Sequence, residues 1–380
     1  MSVLITVVVT ILIFLIIIAI HEFGHFAAAK LLGMRVVEYA IGMGPAIFKK
    51  QKGETLYSVR AFPIGGYCSL DGEDKESNDE RAFNKQAKWK RFIVLVSGAL
   101  LNILLGFLVY IIVVCGAGEI NTPVINEFAN DTYIADSGLL PGDRIVKVNN
   151  TRINIYQDMN FVLSTIDENP IDVTVKRNGE KLTFKVKPSK RVETVNYYED
   201  RAETLTSTNG IDQPVVVSEY KDGKTHPELD GQSETLERYI IGFSYTTKKV
   251  NLFSAVREAF YSSVYIVKLV LISLWGILTG KVSVNQLSGP VGIGGAVGNA
   301  IKFGWMSVLE LVALITLNLG VFNLLPIPAL DGGRIVFLAI EAVRRKQFPV
   351  EKEAMVNFVF LALLLVLAAY VMINDIFKLI

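Results

Sequence analysis

His21-Glu22-Phe23-Gly24-His25 holds two of the chain's three histidines, with a carboxylate beside the first. On an α-helix, four residues turn about 400°, so both imidazoles lie on one face roughly one turn apart. Two imidazoles so placed suit a zinc ion. Glu22 sits one position round the helix, where it reaches a water on such an ion more easily than the ion itself. That is the place of a general base in metal-assisted hydrolysis. A histidine pair hydrogen-bonded in a packed core is the plainer alternative.

A catalytic zinc takes three protein ligands and leaves a position for water. The pentapeptide directly follows an apolar run from Val3 to Ile20, so the third ligand must lie at membrane depth. His226 sits in a polar stretch expected on the wrong side of the membrane. The candidate is Asp331, in Asn323-Leu324-Leu325-Pro326-Ile327-Pro328-Ala329-Leu330-Asp331-Gly332-Gly333. A carboxylate that ends an apolar helix is expensive unless partnered. Pro326 and Pro328 remove backbone donors and break the helix, which is tolerated at membrane depth only beside protein or a water cavity. The two glycines allow close backbone approach. An ordinary helix-terminal carboxylate is the alternative reading of Asp331.

The rest of the chain must carry these residues into a bilayer. It is 51% apolar with a mean hydropathy of +0.40, values that suit a multispanning protein. A net charge of +1 gives no electrostatic case for nucleic acid. Cys68 and Cys115 are expected on opposite sides of an apolar run and are not expected to pair. No lysine or arginine precedes Lys30, so the N-terminal run reads as a retained spanning helix rather than a signal peptide.

These features predict an α-helical polytopic membrane protein with about four transmembrane helices and an inserted β-rich domain. The first helix occupies 1–33 and carries the histidine motif. Residues 34–91 form a cytoplasmic β region and a basic surface helix, and 92–115 the second crossing. Residues 118–188 read as a soluble β domain; Val173–Lys176 and Leu182–Val186 flank an Asn178-Gly179 hairpin turn. Residues 189–250 are a polar, loop-rich extension. The segment 252–300 is amphipathic or re-entrant, 308–345 holds the third helix and Asp331, and 353–377 is the fourth.

Basic clusters at 49–52 and 81–91, and Arg344-Arg345-Lys346, belong on the cytoplasmic face by the positive-inside rule. The N-terminus and the β domain are then outside. Parity requires that 252–279 lie on the surface or dip and return, which its Arg257, Glu258 and Lys268 favour.

A helix ending in HEFGH, joined some 300 residues later by NLLPIPALDGG, resembles the site-2 protease family of intramembrane zinc metalloproteases, in particular its bacterial RseP/RasP-like group. Leu287-Ser288-Gly289-Pro290-Val291-Gly292-Ile293 is similar to a third family motif, and Gly138-Leu139-Leu140-Pro141-Gly142-Asp143 to the turn of a PDZ domain. The chain departs from some members in having one PDZ-like domain and in the extension 189–236. The resemblance implies Zn2+ held by His21, His25 and Asp331, with Glu22 as catalytic acid/base. It implies that Asn323 holds substrate or the developing oxyanion, though a helix-to-helix hydrogen bond would serve that residue equally. It further implies a membrane-associated β-hairpin whose Gly42-Met43-Gly44 pairs with an unwound substrate strand; simple turns are the alternative for these glycines.

By the same resemblance the substrates are transmembrane segments of single-span proteins, such as anti-sigma factors or remnant signal peptides. An upstream site-1 protease trims them first. The setting is the bacterial cytoplasmic membrane, with the PDZ-like domain extracytoplasmic. A non-catalytic membrane receptor or chaperone is the competing class. The intact Glu22 argues against it, because a structural zinc needs no such carboxylate. A metal transporter is disfavoured, because the other helices lack His or paired carboxylates near the midplane.

Overall fold

The computed structural model describes residues 3–73, 75–130, 132–198, 200–219, 230–283, 285 and 287–377. His226 falls outside the described residues. In chain order the elements are α1 (Val3–Leu31), β1 (Val36–Lys52), β2 (Thr55–Leu70), α2 (Lys88–Ala117), β3 (Glu119–Phe128), β4 (Arg144–Val148), β5 (Thr151–Arg152) and α3 (Tyr156–Leu163). There follow β6 (Ile171–Arg177), β7 (Glu180–Val186), β8 (Ser189–Tyr197), β9 (Arg201–Thr208), β10 (Ile211–Asp212), β11 (Val216–Glu219), β12 (Ser233–Ile240) and β13 (Phe243–Lys249). The chain closes with α4 (Leu252–Leu278), α5 (Pro290–Phe303), α6 (Trp305–Asn323), α7 (Asp331–Arg344) and α8 (Val350–Phe377). Two compact units result, 1–116 with 255–380, and 117–254.

The first unit is helical because of its solvent. The sequence of α1 is rich in Val, Ile and Thr, a composition that favours strands in water. In lipid each backbone N–H and C=O must be satisfied within the segment, and a helix does this. Among the described residues α1, α2, α4, α6 and α8 are long and apolar enough to cross a membrane. Four of these are the expected crossings. The fifth, α4, runs unbroken to Leu278.

The helices pack through small residues. A side chain at Gly24 would strike the backbone of Ser97 and Gly98, and one at Gly320 that of Ala99. Such close approach lets α1 and α6 press against α2, as small residues do between membrane helices. Between α1 and α2, the strands β1 and β2 form an antiparallel hairpin that doubles back on itself. Residues 38–41 pair on one side with 56–59 and on the other with 66–69, and Val36 pairs with Leu70. The segment 66–70 is therefore an edge of this sheet.

Two details of this unit differ from expectation. Lys88, Lys90 and Arg91 belong to the first turn of α2 rather than to a separate surface helix. Arg91 is buried and pairs with the buried Glu341 of α7 at 2.7 Å, so its charge serves packing as well as topology. Asp331 opens α7 rather than closing α6, because the chain breaks at Leu324 and turns through both prolines before helix resumes.

The second unit contains two sheets. One has the order β13-β3-β4-β6-β7, with β5 beside β4; the other has the order β10-β9-β8-β12, with β11 on β9. The core of the first is apolar: Ile125, Ile145, Val148, Val173, Val175 and Met159 of α3 are all buried. In β6 burial alternates residue by residue, as a half-buried strand requires. The Asn178-Gly179 turn has φ of 50° and 92°, the two positive values of a type I′ hairpin. The β domain does not end at 188. Its edge strand β13 comes from 243–249 and pairs with β3. The extension is also not loop-rich, since β8, β9 and β12 within it form a regular antiparallel ladder.

Candidate metal centre

The metal-site candidates come from the last turns of α1 and the first residue of α7. His21 Nε2 and His25 Nε2 are 3.2 Å apart, and Asp331 Oδ2 lies 3.3 and 3.4 Å from them. Among the described residues these three are the only cluster of His, Cys, Asp and Glu that could hold a metal ion. Three donors on a tetrahedral zinc, each about 2.0–2.1 Å from the ion, are about 3.3 Å apart. The observed triangle has that edge. Asp331 Oδ2 is buried and accepts no hydrogen bond among the described residues, though both ring nitrogens are near. A carboxylate oxygen left so in an apolar setting is costly, and a divalent cation at this point removes the cost. The donor set fits zinc.

α2 shapes the site from one side. His25 Nδ1 donates to the Val94 carbonyl at 2.8 Å, which leaves its Nε2 lone pair facing the triangle. A side chain at Gly98 would collide with the His25 ring, so this glycine makes the imidazole's space. Asn102, fully buried, brings Nδ2 to 3.4 Å from His21 Nδ1. Asn323, at the end of α6, approaches both ring nitrogens of His21 at 3.4 Å.

α7 is held by ion pairs on its inner side. Arg334, one turn after Asp331, pairs with Glu73 from the loop after β2. Glu341 takes Arg91 and the Phe348 N–H. The turn before α7 is tight: Ala329 sits at φ 74°, and its N–H donates to Asn357 of α8. A side chain at Gly332 or Gly333 would strike the carbonyls of Leu324, Leu325 or Ile327, so the Asp-Gly-Gly sequence lets the turn fold onto the helix start.

A cavity of about 410 Å³ opens beside the triangle, lined by His21, Glu22, Tyr67, Cys68, Ser69 and Arg334, among others. Glu22 therefore shares a polar space with the candidate ligands, next to the sheet edge 66–70. A side chain at Gly66 would stand 3.5 Å from Glu22 Cγ. Burial, reinforced by the Glu22 charge, pushes the Cys68 thiol up to about 12, and its sulfur is not among the clustered donors.

Glu38 braces the sheet behind this edge. It accepts Ser58 Oγ at 2.6 Å, Arg60 at 2.7 Å and the Tyr67 hydroxyl at 2.8 Å. Burial raises its carboxyl, but these three donors outweigh that and hold it below its ordinary range.

His21, Glu22, His25, Asn323 and Asp331 are thus gathered at one place. Gly42 and Gly44 are not: both take positive φ, and both lie against Phe62, away from the cavity lining. The sequence reading missed Asn102 and Gly98, and it sought the pairing strand in this β region at Gly42-Met43-Gly44 rather than at the edge 66–69. Asn102 carried one usable signal, an amide inside an apolar helix. The β character of the segment leading to Tyr67 was readable, but not that 66–69 is the edge, because that depends on the doubled pairing of β1.

The profile of peptidase family M50 matches residues 9–367. A protein of Clostridium acetobutylicum named as a zinc metalloprotease is 32% identical over 373 residues, 97% of each chain. One of Fusobacterium nucleatum, similarly named, is 32% identical over 385 residues, 96% of each. The regulator of sigma-W protease RasP of Bacillus subtilis is 28% identical over 459 residues, covering 98% of this chain and 99% of the relative.

Proposed function

The chain belongs to peptidase family M50 and is a multi-pass membrane zinc metalloprotease; on that premise we propose that it cuts peptide bonds within the transmembrane segments of single-span proteins. His21, His25 and Asp331 would hold the zinc, which when bound would polarise the scissile carbonyl and lower the pKa of the attacking water. Glu22 takes a proton from the attacking water and returns it to the leaving amine nitrogen. Asn323, within reach of His21, donates its amide to the oxygen on which charge develops. The single observation that carries the reading is the 3.2–3.4 Å triangle beside a polar cavity that also contains Glu22.

A substrate helix hides its peptide bonds and must unwind to be cut. Each exposed amide in an apolar setting costs several kcal/mol unless paired. The edge 66–69, ahead of Leu70 whose N–H is taken by Glu73, borders Glu22 and offers those partners by strand addition. Gly42 and Gly44 serve this indirectly, by allowing β1 to bend against Phe62.

The β domain acts as a PDZ-like filter outside the membrane. What supports this is a groove of about 610 Å³ between α3 and the β12–β13 connection, beside the free edge of β13. Four crossings rather than five are favoured by the surroundings of α4. It starts just after β13, which pairs with β3 at the exit of α2 (Lys249 with Glu119). It is followed by Gly289, whose N–H donates to Asp375 near the end of α8. By the basic clusters both are outer ends, so α4 lies along the outer surface.

The relative in Bacillus subtilis is named for regulating sigma-W, which favours membrane-anchored anti-sigma factors as substrates; trimming by a site-1 protease beforehand is part of the proposal and rests on the family resemblance alone. The test is cleavage of a single-span model protein in proteoliposomes. Cutting inside the span that stops with chelator and returns with zinc is expected. Cutting only in soluble flanks would contradict the proposal.

A further inference from the structure

α2 presents an acceptor to His25, and its partner at His21 is incomplete. Val94 C=O receives His25 Nδ1 at 2.8 Å. Two helical turns on, Asn102 faces the Nδ1 of His21. Asn102 is 0% exposed, and its Oδ1 is buried with no hydrogen-bond partner among the described residues. Its backbone is fixed from α6, where Thr316 Oγ1 donates to the Asn102 carbonyl at 3.3 Å. An orphaned amide oxygen in a buried helix interface needs a donor. A His21 that gives Nε2 to a metal carries its hydrogen on Nδ1, and that hydrogen needs an acceptor.

We infer that Asn102 is the positioning residue for His21: its carboxamide, turned by half a rotation, accepts the Nδ1–H and holds Nε2 toward Asp331 and His25. The half-turn sets Oδ1 where Nδ2 stands, 3.4 Å from Nδ1 and a few tenths of an ångström from hydrogen-bond length. Asn323 does not fill this role. It is partly exposed and lies equally near Nε2, on the side where ligand and substrate meet. Asn102 approaches Nδ1 from within the bundle. The inference rests on the zinc reading of the site.

The test is zinc affinity of the full-length protein in detergent, measured by chelator competition, with the melting of the metal-free form as a check on folding. Asn102→Leu, which keeps the branched shape and loses the acceptor, is expected to weaken zinc binding about 10–100-fold. Asn102→Asp, an acceptor in either rotation, is expected to hold zinc as tightly as the parent or more so. Equal affinity in the Leu variant, or equal loss in Leu and Asp, overturns the inference.

Parent protein that binds no zinc, or His21→Ala that binds it as the parent does, overturns the underlying metal reading instead. A second measurement needs no variant. In the zinc-loaded parent labelled with 15N-histidine, His21 is expected to carry hydrogen on Nδ1 and metal on Nε2. The reverse arrangement removes Asn102 from the role.

Discussion

Two aspartates begin two structured segments in the two units, and their surroundings differ in one respect. Asp143 precedes β4 and is 1% exposed; Arg177 donates to both of its oxygens at 2.7 Å, and the Leu140 N–H adds a third bond at 2.9 Å. Asp331 begins α7, and its Oδ2 faces two ring nitrogens without accepting a hydrogen bond from either. The first carboxylate is satisfied by the protein alone and holds a turn together. The second is held in place, by α7 and the ion pairs of Arg334 and Glu341, yet left with a lone pair to give. A buried acceptor left unpaired calls for a partner, and at Asp331 a metal ion would be that partner.

The widest separation between the units should come from Glu22→Gln. Cleavage of a spanning substrate is expected to fall by about 10²–10⁴-fold or more, with zinc content unchanged by metal analysis. Loss of zinc in step with activity would show that Glu22 supports the ligands rather than the proton transfer. Next is Asp331→Ala, expected to weaken zinc binding by at least about 10-fold. Asp143→Ala, tested beside it, should lower protection of β3–β7 from hydrogen exchange and leave zinc in place. Equal metal loss from both would erase the contrast.

A smaller effect is expected from Gly98→Ala, whose new methyl must displace the His25 ring. A misplacement of about 1 Å costs on the order of 10² in rate. Unchanged cleavage would mean that the α1–α2 contact yields without moving the ligand. The smallest is a pH effect. Burial raises the Asp143 carboxyl, but Arg177 and the Leu140 N–H outweigh it and hold it below the usual carboxylate range. The stability from this depressed value is present above the unfolded pKa of about 3.9 and is lost as pH falls through the folded value. Hydrogen exchange should therefore show β3–β7 loosening below about pH 4, and Asp143→Asn should flatten that dependence.

The polar residues of the membrane unit were legible because lipid leaves few reasons for them. His21, His25 and Asp331 each stood out in an apolar stretch, and the structure gathers them at one point. The Asn178-Gly179 hairpin was legible because its turn demands those residue types. The ladder of β8, β9 and β12 was not, since its strands are polar and only partly covered and give no alternation of apolar residues. Nor was β13 as the edge of a sheet begun over a hundred residues earlier, because pairing at such range leaves no local trace. The turn from Leu324 to Asp331 was half legible: the prolines announced the break, but not that Asp331 would start the next helix.

Zinc K-edge absorption of the zinc-loaded Glu22→Gln protein tests the donor set most directly. Two imidazole nitrogens and carboxylate oxygen at about 2.0–2.2 Å, with no sulfur, are expected. Sulfur scattering at about 2.3 Å, which only Cys68 among the cavity residues could supply, would contradict the assignment of Asp331 and the mechanism built on it.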